Sequence, residues 1–170
     1  MKKLAFSLLA ATLFFAACSK DDDKKIDNAS SLTYNGEAIS TPYGYRIDYT
    51  DGSTFVAADK DLLSTAGYTG TATAVAIDVD TVILGQTYTF KNYDSTGYDK
   101  AKNFAYAATY FKQPYAGRDF TDEATSLDTL TGGSVTINKT QNTYKVTYEL
   151  QYHNITVKGE YNGDMTVIND

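Results

Sequence analysis

The chain has 170 residues and a mass of 18.6 kDa, which is enough for one ordinary domain with little left over for a second. Its formal net charge of -6 argues against a nucleic-acid partner, because phosphate binding requires a basic face. A single Cys excludes an internal disulfide, and a single His excludes a His-rich metal site within one chain. The composition, with 42% hydrophobic and 21% charged residues, predicts a globular protein.

The N-terminal segment is typical of a targeting signal. A positive start at residues 1–3 precedes an uncharged apolar run at residues 4–17, which is too short to span a bilayer comfortably. The run ends in Phe15-Ala16-Ala17-Cys18, which resembles a bacterial lipobox with Phe where Leu is commoner. The resemblance implies that residues 1–17 are a cleaved signal peptide and that Cys18 becomes an acylated N-terminus. An ordinary signal peptide with an incidental Cys is the alternative.

Residues 18–31 are predicted to form a flexible acidic tether. Seven of the thirteen residues that follow Cys18 are charged, so the segment has too little apolar surface to fold. An acidic run directly behind a lipidated Cys resembles the export signal of Bacteroidetes surface lipoproteins. The resemblance implies an anchor in the outer membrane and a domain that faces the cell exterior. A generic polar linker is the alternative.

From Leu32 onward the hydrophobic pattern has a period of two, which indicates β-strands. Asn35-Gly36 and Asn162-Gly163 are each predicted to form a two-residue hairpin turn, and residues 82–84 are predicted to continue a strand. No segment beyond the signal peptide shows convincing helical periodicity. We therefore predict a single all-β domain at residues 32–170, an antiparallel meander that forms a β-sandwich or a calycin-like barrel.

A second resemblance lies in the C-terminal third. Four segments follow one another there, at residues 133–137, 144–150, 155–159 and 161–165. They resemble the strand series that closes many small Bacteroidetes lipoproteins: a Gly-led strand, a long strand that begins with Tyr, and a G-x-Y-x-G hairpin. The resemblance implies a lipid-anchored β-sandwich or a lipocalin-like barrel, and it implies no particular chemistry.

Each candidate for catalytic or metal chemistry also has a simpler structural explanation. His153 lies between two predicted strands, where an exposed turn is the expected environment. Asp119, Asp122, Glu123 and Asp128 offer oxygen ligands for Ca²⁺, but their spacing fits no EF-hand loop. There is no glycine-rich phosphate or dinucleotide loop, so we predict neither a metal nor a cofactor. A carboxylate-dependent hydrolase is a third-ranked function, since a carboxylate pair is defined by distance and not by a motif.

Aromatic residues in long connections are the candidates for ligand contact. The connections at residues 59–70, 91–103 and 112–132 are longer than ordinary hairpin loops, and such loops often carry function. Aromatic rings there can stack on sugars or other flat ligands, whereas a Tyr-rich core is the alternative explanation. The candidate rim residues are Tyr68, Tyr93, Tyr98, Tyr115 and Phe120.

Three short motifs indicate covalent modification. They are Asp80-Thr81-Val82, Asp94-Ser95-Thr96 and Asp128-Thr129-Leu130. These motifs resemble the acceptor sites of the Bacteroidetes general O-glycosylation system. The resemblance implies O-glycosylation at Thr81, Ser95 and Thr129. Ser95 and Thr129 lie in predicted loops and are the better candidates, because strand placement would block Thr81.

Two functions from different classes follow from these features. The first is a lipid-anchored cell-surface protein with a non-enzymatic ligand-binding role, for example toward a glycan. The second is a structural or accessory subunit of an outer-membrane protein assembly, in which the partner is another membrane protein. A concave site with exposed aromatic residues favours the first, whereas a flat apolar patch or an unpaired edge strand favours the second.

Overall fold

The structure, a computed structural model, describes residues 30–64 and 66–169. Within these residues the chain forms fourteen β-strands and no helix, which confirms the all-β prediction. In chain order the strands are β1 (Ser31–Tyr34), β2 (Glu37–Ser40), β3 (Tyr43–Tyr49), β4 (Gly52–Ala58), β5 (Gly70–Val79), β6 (Thr87–Phe90), β7 (Asn103–Phe104), β8 (Tyr106–Ala116), β9 (Asp119–Phe120), β10 (Ser126–Leu127), β11 (Gly132–Thr140), β12 (Thr143–Tyr152), β13 (Ile155–Asp164) and β14 (Thr166–Asn169). The predicted signal peptide, Cys18 and the tether as far as residue 29 lie outside the described residues.

The strands form two large curled sheets of seven strands each. The order in the first sheet is β2-β1-β13-β12-β11-β6-β7, and in the second it is β10-β8-β5-β4-β3-β14, with β9 also paired to β8. Most neighbours are antiparallel, but β7 pairs parallel to β6 and β14 pairs parallel to β3. The chain changes sheet after every two or three strands until β14, so the strands are divided between two sheets, which agrees with the predicted β-sandwich or barrel. In the described part of the chain, no helix is long and apolar enough to cross a membrane.

The core lies between the two sheets, and its pattern is clearest on β12, where buried and less buried side chains alternate. On β12 every second side chain is buried: Tyr144, Val146, Tyr148, Leu150 and Tyr152. These residues share one cluster with Phe55, Val75 and Ile77 of the second sheet. Each fully buried side chain of this size contributes about 1.5–3 kcal/mol of transfer free energy, so the alternating pattern decides which face turns inward.

The second sheet also carries a smaller cluster on its outer face. The connection between β4 and β5 folds back over this face, and its residue Leu62 packs with Tyr45, Ala72 and Tyr115. The Tyr45 hydroxyl donates a hydrogen bond to Asp61 at 2.9 Å, and the Tyr115 hydroxyl donates to the Leu62 carbonyl at 3.3 Å. The connection is therefore packed against the domain through both apolar contacts and hydrogen bonds.

The two Asn-Gly sequences behave differently. Asn35 and Gly36 form the predicted turn between β1 and β2, and both have positive φ angles, as a type I′ turn requires. The predicted turn at Asn162-Gly163 is wrong, because these residues continue β13 and pair with Lys145 and Tyr144. Ten consecutive residue pairs join β12 to β13, and this long ladder outweighs the local turn preference.

The predicted strand at residues 82–84 is also wrong. This segment is a connection in which Tyr88 supplies the hydrogen bonds that a neighbouring strand would otherwise provide. The Ile83 amide donates to the Tyr88 hydroxyl at 2.6 Å, and that hydroxyl donates to the Thr81 carbonyl at 2.7 Å. The buried Tyr88 side chain therefore supplies the hydrogen bonds that the backbone groups of Ile83 and Thr81 need.

The folded domain begins before the predicted boundary at residue 32. Ser31 belongs to β1, and Ser30 is buried. The Asn162 amide donates to Ser30 Oγ at 2.9 Å, and Ser30 Oγ lies 3.2 Å from the Asn162 carbonyl, to which it donates. These two residues are part of the domain and not of the tether.

Candidate functional site

The structure separates the five candidate rim residues into two groups. The first group, Tyr68, Tyr115 and Phe120, lies on the outer face of the second sheet. Phe120 stacks on Tyr110 with a centroid distance of 3.7 Å and an interplanar angle of 3°, and it meets Tyr115 edge-on at 5.1 Å. Tyr115 lies in β8 and is buried, since this strand includes the first five residues of the connection that we predicted at residues 112–132. This group is a packed aromatic cluster, with little ring surface left for a ligand.

The second group is Tyr93 and Tyr98, in the connection between β6 and β7. Their ring centroids are 5.1 Å apart, and Tyr93 is 58% exposed. The Tyr98 hydroxyl donates to Asp80 Oδ2 at 3.0 Å. Burial, and then the adjacent Asp80 carboxylate, raise the pKa of Tyr98 above its usual value. Tyr98 is therefore held against the end of β5, while Tyr93 presents its ring to solvent.

An open groove of about 350 Å³ separates β10 from the turn between β12 and β13. We call it the groove; residues 126–129 line one side and residues 152–155 line the other. His153 is exposed in this turn with a φ of 46°, which confirms the predicted turn environment. The volume falls within the range of roughly 300–1,000 Å³ that small-molecule sites occupy.

The floor of the groove is apolar. Leu127 and Ile155 are half-buried, and Tyr152 is buried between the sheets. The Tyr152 hydroxyl lies 3.2 Å from Thr109 Oγ1 and donates to the Ala107 carbonyl at 3.3 Å. Burial raises the pKa of Tyr152 to about 12. The floor is therefore held in place from both sheets.

The rim of the groove carries hydroxyl, carboxylate, imidazole and amide groups. Ser126 Oγ and Thr129 Oγ1 donate to the two oxygens of Asp128, at 3.0 and 3.2 Å. His153 and Asn154 are exposed on the opposite side. The residues that line the groove include neither Lys nor Arg. This set of groups can exchange hydrogen bonds with a neutral polar ligand, but it includes no Lys or Arg whose positive charge would attract an anion.

The groove does not contain an assembled nucleophilic triad. Ser126 donates to Asp128, whereas a triad would need the serine hydroxyl bonded to the imidazole and the imidazole bonded to the carboxylate. The described residues of the groove therefore do not form an assembled triad.

A second concavity, of about 190 Å³, lies where the turn between β3 and β4 meets the end of β5. We call it the pocket. Gly52 faces Tyr49 on β3, and a Cβ at Gly52 would lie 2.9 Å from the Val79 carbonyl oxygen. A side chain at position 52 would therefore crowd the backbone at the end of β5, beside the pocket that Gly52 lines.

Of the three aspartates that line the pocket, Asp78 and Asp80 lie together at the end of β5. Asp78 Oδ1 accepts a hydrogen bond from Thr54 Oγ1 at 2.6 Å. Burial raises the pKa of Asp78, and the neighbouring Asp80 carboxylate raises it further. In the described part of the chain neither carboxylate has a salt-bridge partner, although other carboxylates do. A group of three or more His, Cys, Asp or Glu able to hold a metal ion does not occur among residues 30–64 and 66–169.

Tyr106 lies on β8, the strand between β10, which borders the groove, and β5, which borders the pocket. It begins β8, stands opposite Asp78 on β5 and is 44% exposed. Burial is the largest cause of its raised pKa, followed by Tyr110 and then by the carboxylates of Asp128 and Asp78. One exposed ring is thus close to an acidic group of each concavity.

The three candidate glycosylation residues differ in accessibility. Thr81 is exposed in the connection that follows β5, so the expectation that a strand would block it is wrong. Thr129 is exposed as well and lines the groove. Ser95 is half-buried, and its amide donates to the Asn92 carbonyl at 3.0 Å within a turn. Access therefore favours Thr81 and Thr129 over Ser95.

Comparison of the chain with protein-family models, with curated proteins and with solved structures found no match.

The residues of the groove were only partly identified from the sequence. Thr129 and His153 were named there for other reasons, whereas Leu127, Asn154 and Ile155 were missed. No local pattern marks these residues, because the two sides of the groove are more than twenty positions apart and meet only when the two sheets pack.

Proposed function

We propose that this protein is a lipid-anchored cell-surface protein of the outer membrane that binds a neutral glycan without turning it over. The groove is the observation that carries this proposal. It combines an apolar floor with hydroxyl, carboxylate, imidazole and amide groups, and no cation lines it. Sugars present apolar ring faces and many hydroxyl groups, so they match such a surface.

The sequence features at the N-terminus support the proposed location. Acylation of Cys18 would anchor the chain, and the acidic tether would hold the domain away from the headgroups. Many copies on one cell would bind a polymeric glycan together, so a weak single site would suffice.

A glycan array tests the proposal. The probe is the mature chain with Cys18→Ser, which keeps the tether and domain but removes the acylation site. Any hit is then measured by calorimetry against Asn154→Arg, which places a long side chain in the groove. Asn142→Arg is the matched control, because Asn142 is exposed in the turn between β11 and β12. Binding that is lost in Asn154→Arg and kept in the control supports the groove, whereas no binding to any neutral glycan contradicts the proposal.

A second function, an accessory subunit of a membrane assembly, is favoured by one edge strand. Within residues 30–64 and 66–169, strand β14 ends the second sheet with only β3 as its neighbour, and its residue Val167 is 50% exposed. An unpaired edge can accept a strand from another protein. Cross-linking in cells followed by purification tests this function. One membrane protein recovered with the chain, together with an array without hits, would favour it.

The third candidate function, a carboxylate-dependent hydrolase, is supported by the positions of Asp78 and Asp80. A carboxyl group with a raised pKa beside a second carboxylate is the arrangement that acid–base cleavage uses. The assay is product formation from any bound glycan. Product that disappears in Asp78→Asn would establish an enzyme and replace the binding proposal.

A further inference from the structure

We infer that the groove and the pocket are two parts of one extended binding surface bridged by Tyr106, and that its ligand is a linear neutral oligosaccharide. This inference rests on the proposed function and specifies its ligand. It concerns the length of the ligand and the residue that joins the two concavities, neither of which follows from the groove alone.

The order of the strands places the two concavities side by side. In the second sheet β8 lies between β10, which borders the groove, and β5, which borders the pocket. Neighbouring strands are about 4.8 Å apart, so β10 and β5 are separated by about 10 Å. This distance exceeds the width of one sugar ring. A ligand that fills both concavities must therefore contain several linked units.

Tyr106 lies on β8, the strand between those that border the two concavities. It pairs with Asp78, which lines the pocket, and the next residue, Ala107, is buried between the sheets. Because successive side chains of a strand point to opposite faces, Tyr106 and its partner Asp78 both point to the outer face of the second sheet. Tyr106 is 44% exposed, which leaves aromatic surface on which a sugar can stack. A second exposed ring, Tyr49, closes the far side of the pocket.

The charges along this surface select the ligand. Asp128 lines the groove, whereas neither lining includes Lys or Arg. Three aspartates line the pocket: Asp51, Asp78 and Asp80. Carboxylates accept hydrogen bonds from sugar hydroxyls and repel anionic groups. The surface therefore matches a neutral chain and opposes one that carries carboxylate or sulfate groups.

Calorimetry with oligosaccharides of increasing length tests the inference. The probes are linear gluco-, manno- and xylo-oligosaccharides, from monosaccharide to hexasaccharide, titrated into the mature chain with Cys18→Ser. We expect the affinity to rise by about tenfold or more with length. Tyr106→Ala should remove this gain and leave the affinity for the shortest binding sugar within about twofold.

Two further variants keep the result interpretable. Tyr106→Phe preserves the ring and should retain the gain with length. Tyr43→Ala is the matched control, because Tyr43 is 41% exposed on β3 and lines neither concavity. Tyr43→Ala should bind as the parent chain does. If it does, a loss of affinity in Tyr106→Ala comes from the position of Tyr106 and not from the removal of any exposed tyrosine.

The outcomes separate this inference from the proposed function. Affinity that is independent of length, or a gain that survives in Tyr106→Ala, would overturn the extended surface and leave groove binding intact. A preference for acidic oligosaccharides or for linear polyamines would overturn the assignment to a neutral chain. The absence of binding to every glycan would overturn the proposed function, and the inference with it.

Discussion

The ring of Tyr161, on β13 of the first sheet, lies directly against the backbone of Gly44, on β3 of the second sheet. Both residues are buried, and a Cβ at position 44 would overlap the ring at Cζ. The Tyr161 hydroxyl donates to the Asp164 carbonyl at 2.6 Å, which restricts movement of the ring. The two sheets reach this spacing only because position 44 has no side chain.

We expect Gly44→Ala to destabilise the domain by about 1–3 kcal/mol, the usual cost of overpacking a core. Denaturant unfolding measures the change. The same substitution in a Tyr161→Leu background should cost much less, since the smaller side chain leaves room for the added methyl group. An equal cost in both backgrounds would show that contact with Tyr161 is not the cause.

Val146 tests the assignment of the inward face of β12. Val146→Asp should destabilise the domain by about 4 kcal/mol or more, because it buries a charge without a partner between the sheets. Gln151→Asp is the control, since Gln151 lies on the same strand and is exposed. Thermal and denaturant unfolding of the two variants should differ clearly. Similar small losses in both would mean that the core face is assigned wrongly.

Buried tyrosines should make the fold sensitive to alkali. Burial raises the pKa of Tyr152 to about 12, and burial together with Asp164 raises that of Tyr161 to about 12, from an ordinary value of about 10. The folded state thus holds these protons more tightly than the unfolded chain does. The resulting stability is fully present below pH of about 10 and is lost as the pH rises toward about 12. Unfolding curves across this range, with tyrosinate absorbance, measure the loss.

Tyr148 provides a variant for the same experiment. Its hydroxyl is buried without a hydrogen-bond partner among the described residues, and burial raises its pKa. Tyr148→Phe should therefore fold with near-unchanged or higher stability at neutral pH and should lose less of it in alkali. Destabilisation by more than about 1 kcal/mol at neutral pH would indicate a partner for this hydroxyl.

Acylation of Cys18 is a prediction from the sequence alone. Metabolic labelling with a fatty-acid probe should mark the native chain and not Cys18→Ala, since several acyl chains give stable membrane retention. Fractionation should recover the native chain with the outer membrane. Equal label in both proteins, or a native chain that is soluble, would contradict the anchor.

Intact mass of the native protein tests O-glycosylation. We expect Thr81→Ala to remove a glycan mass, and Ser95→Ala to change the mass least, because Ser95 is half-buried. A glycan on Thr129 would occupy the groove, so a native protein whose mass falls in Thr129→Ala would contradict sugar binding in the groove. A native mass equal to that of the unmodified lipoprotein would contradict all three sites.

Strand identity and core face were predictable from local pattern. Tyr144, Val146 and Tyr148 alternate with polar residues, and a strand turns alternate side chains to opposite faces, so their burial follows from spacing alone. The turn at Asn35-Gly36 was predictable for a similar reason, since both positions need positive φ angles that Asn and Gly tolerate.

The candidate site was predictable only in part. Position in a long connection selected the five rim residues, of which only Tyr98 contacts a residue of either concavity, through its hydrogen bond to Asp80. Tyr115 and Phe120 belong instead to a packed cluster. Whether a tyrosine packs or faces solvent depends on which chain segment covers it, and that segment can lie anywhere in the sequence.

The sequence by itself determined that this chain is an all-β protein, because the period of side-chain burial is a property of each strand alone. Tertiary structure decided how the strands combine. Tyr-Asn-Gly forms a turn at residues 34–36 and continues a strand at residues 161–163, where ten residue pairs to β12 supply the competing hydrogen bonds. The groove likewise exists only where residues 126–129 meet residues 152–155. Long-range pairing outweighs local preference wherever many contacts form together. A local sequence pattern does not identify the distant segment with which it will pair.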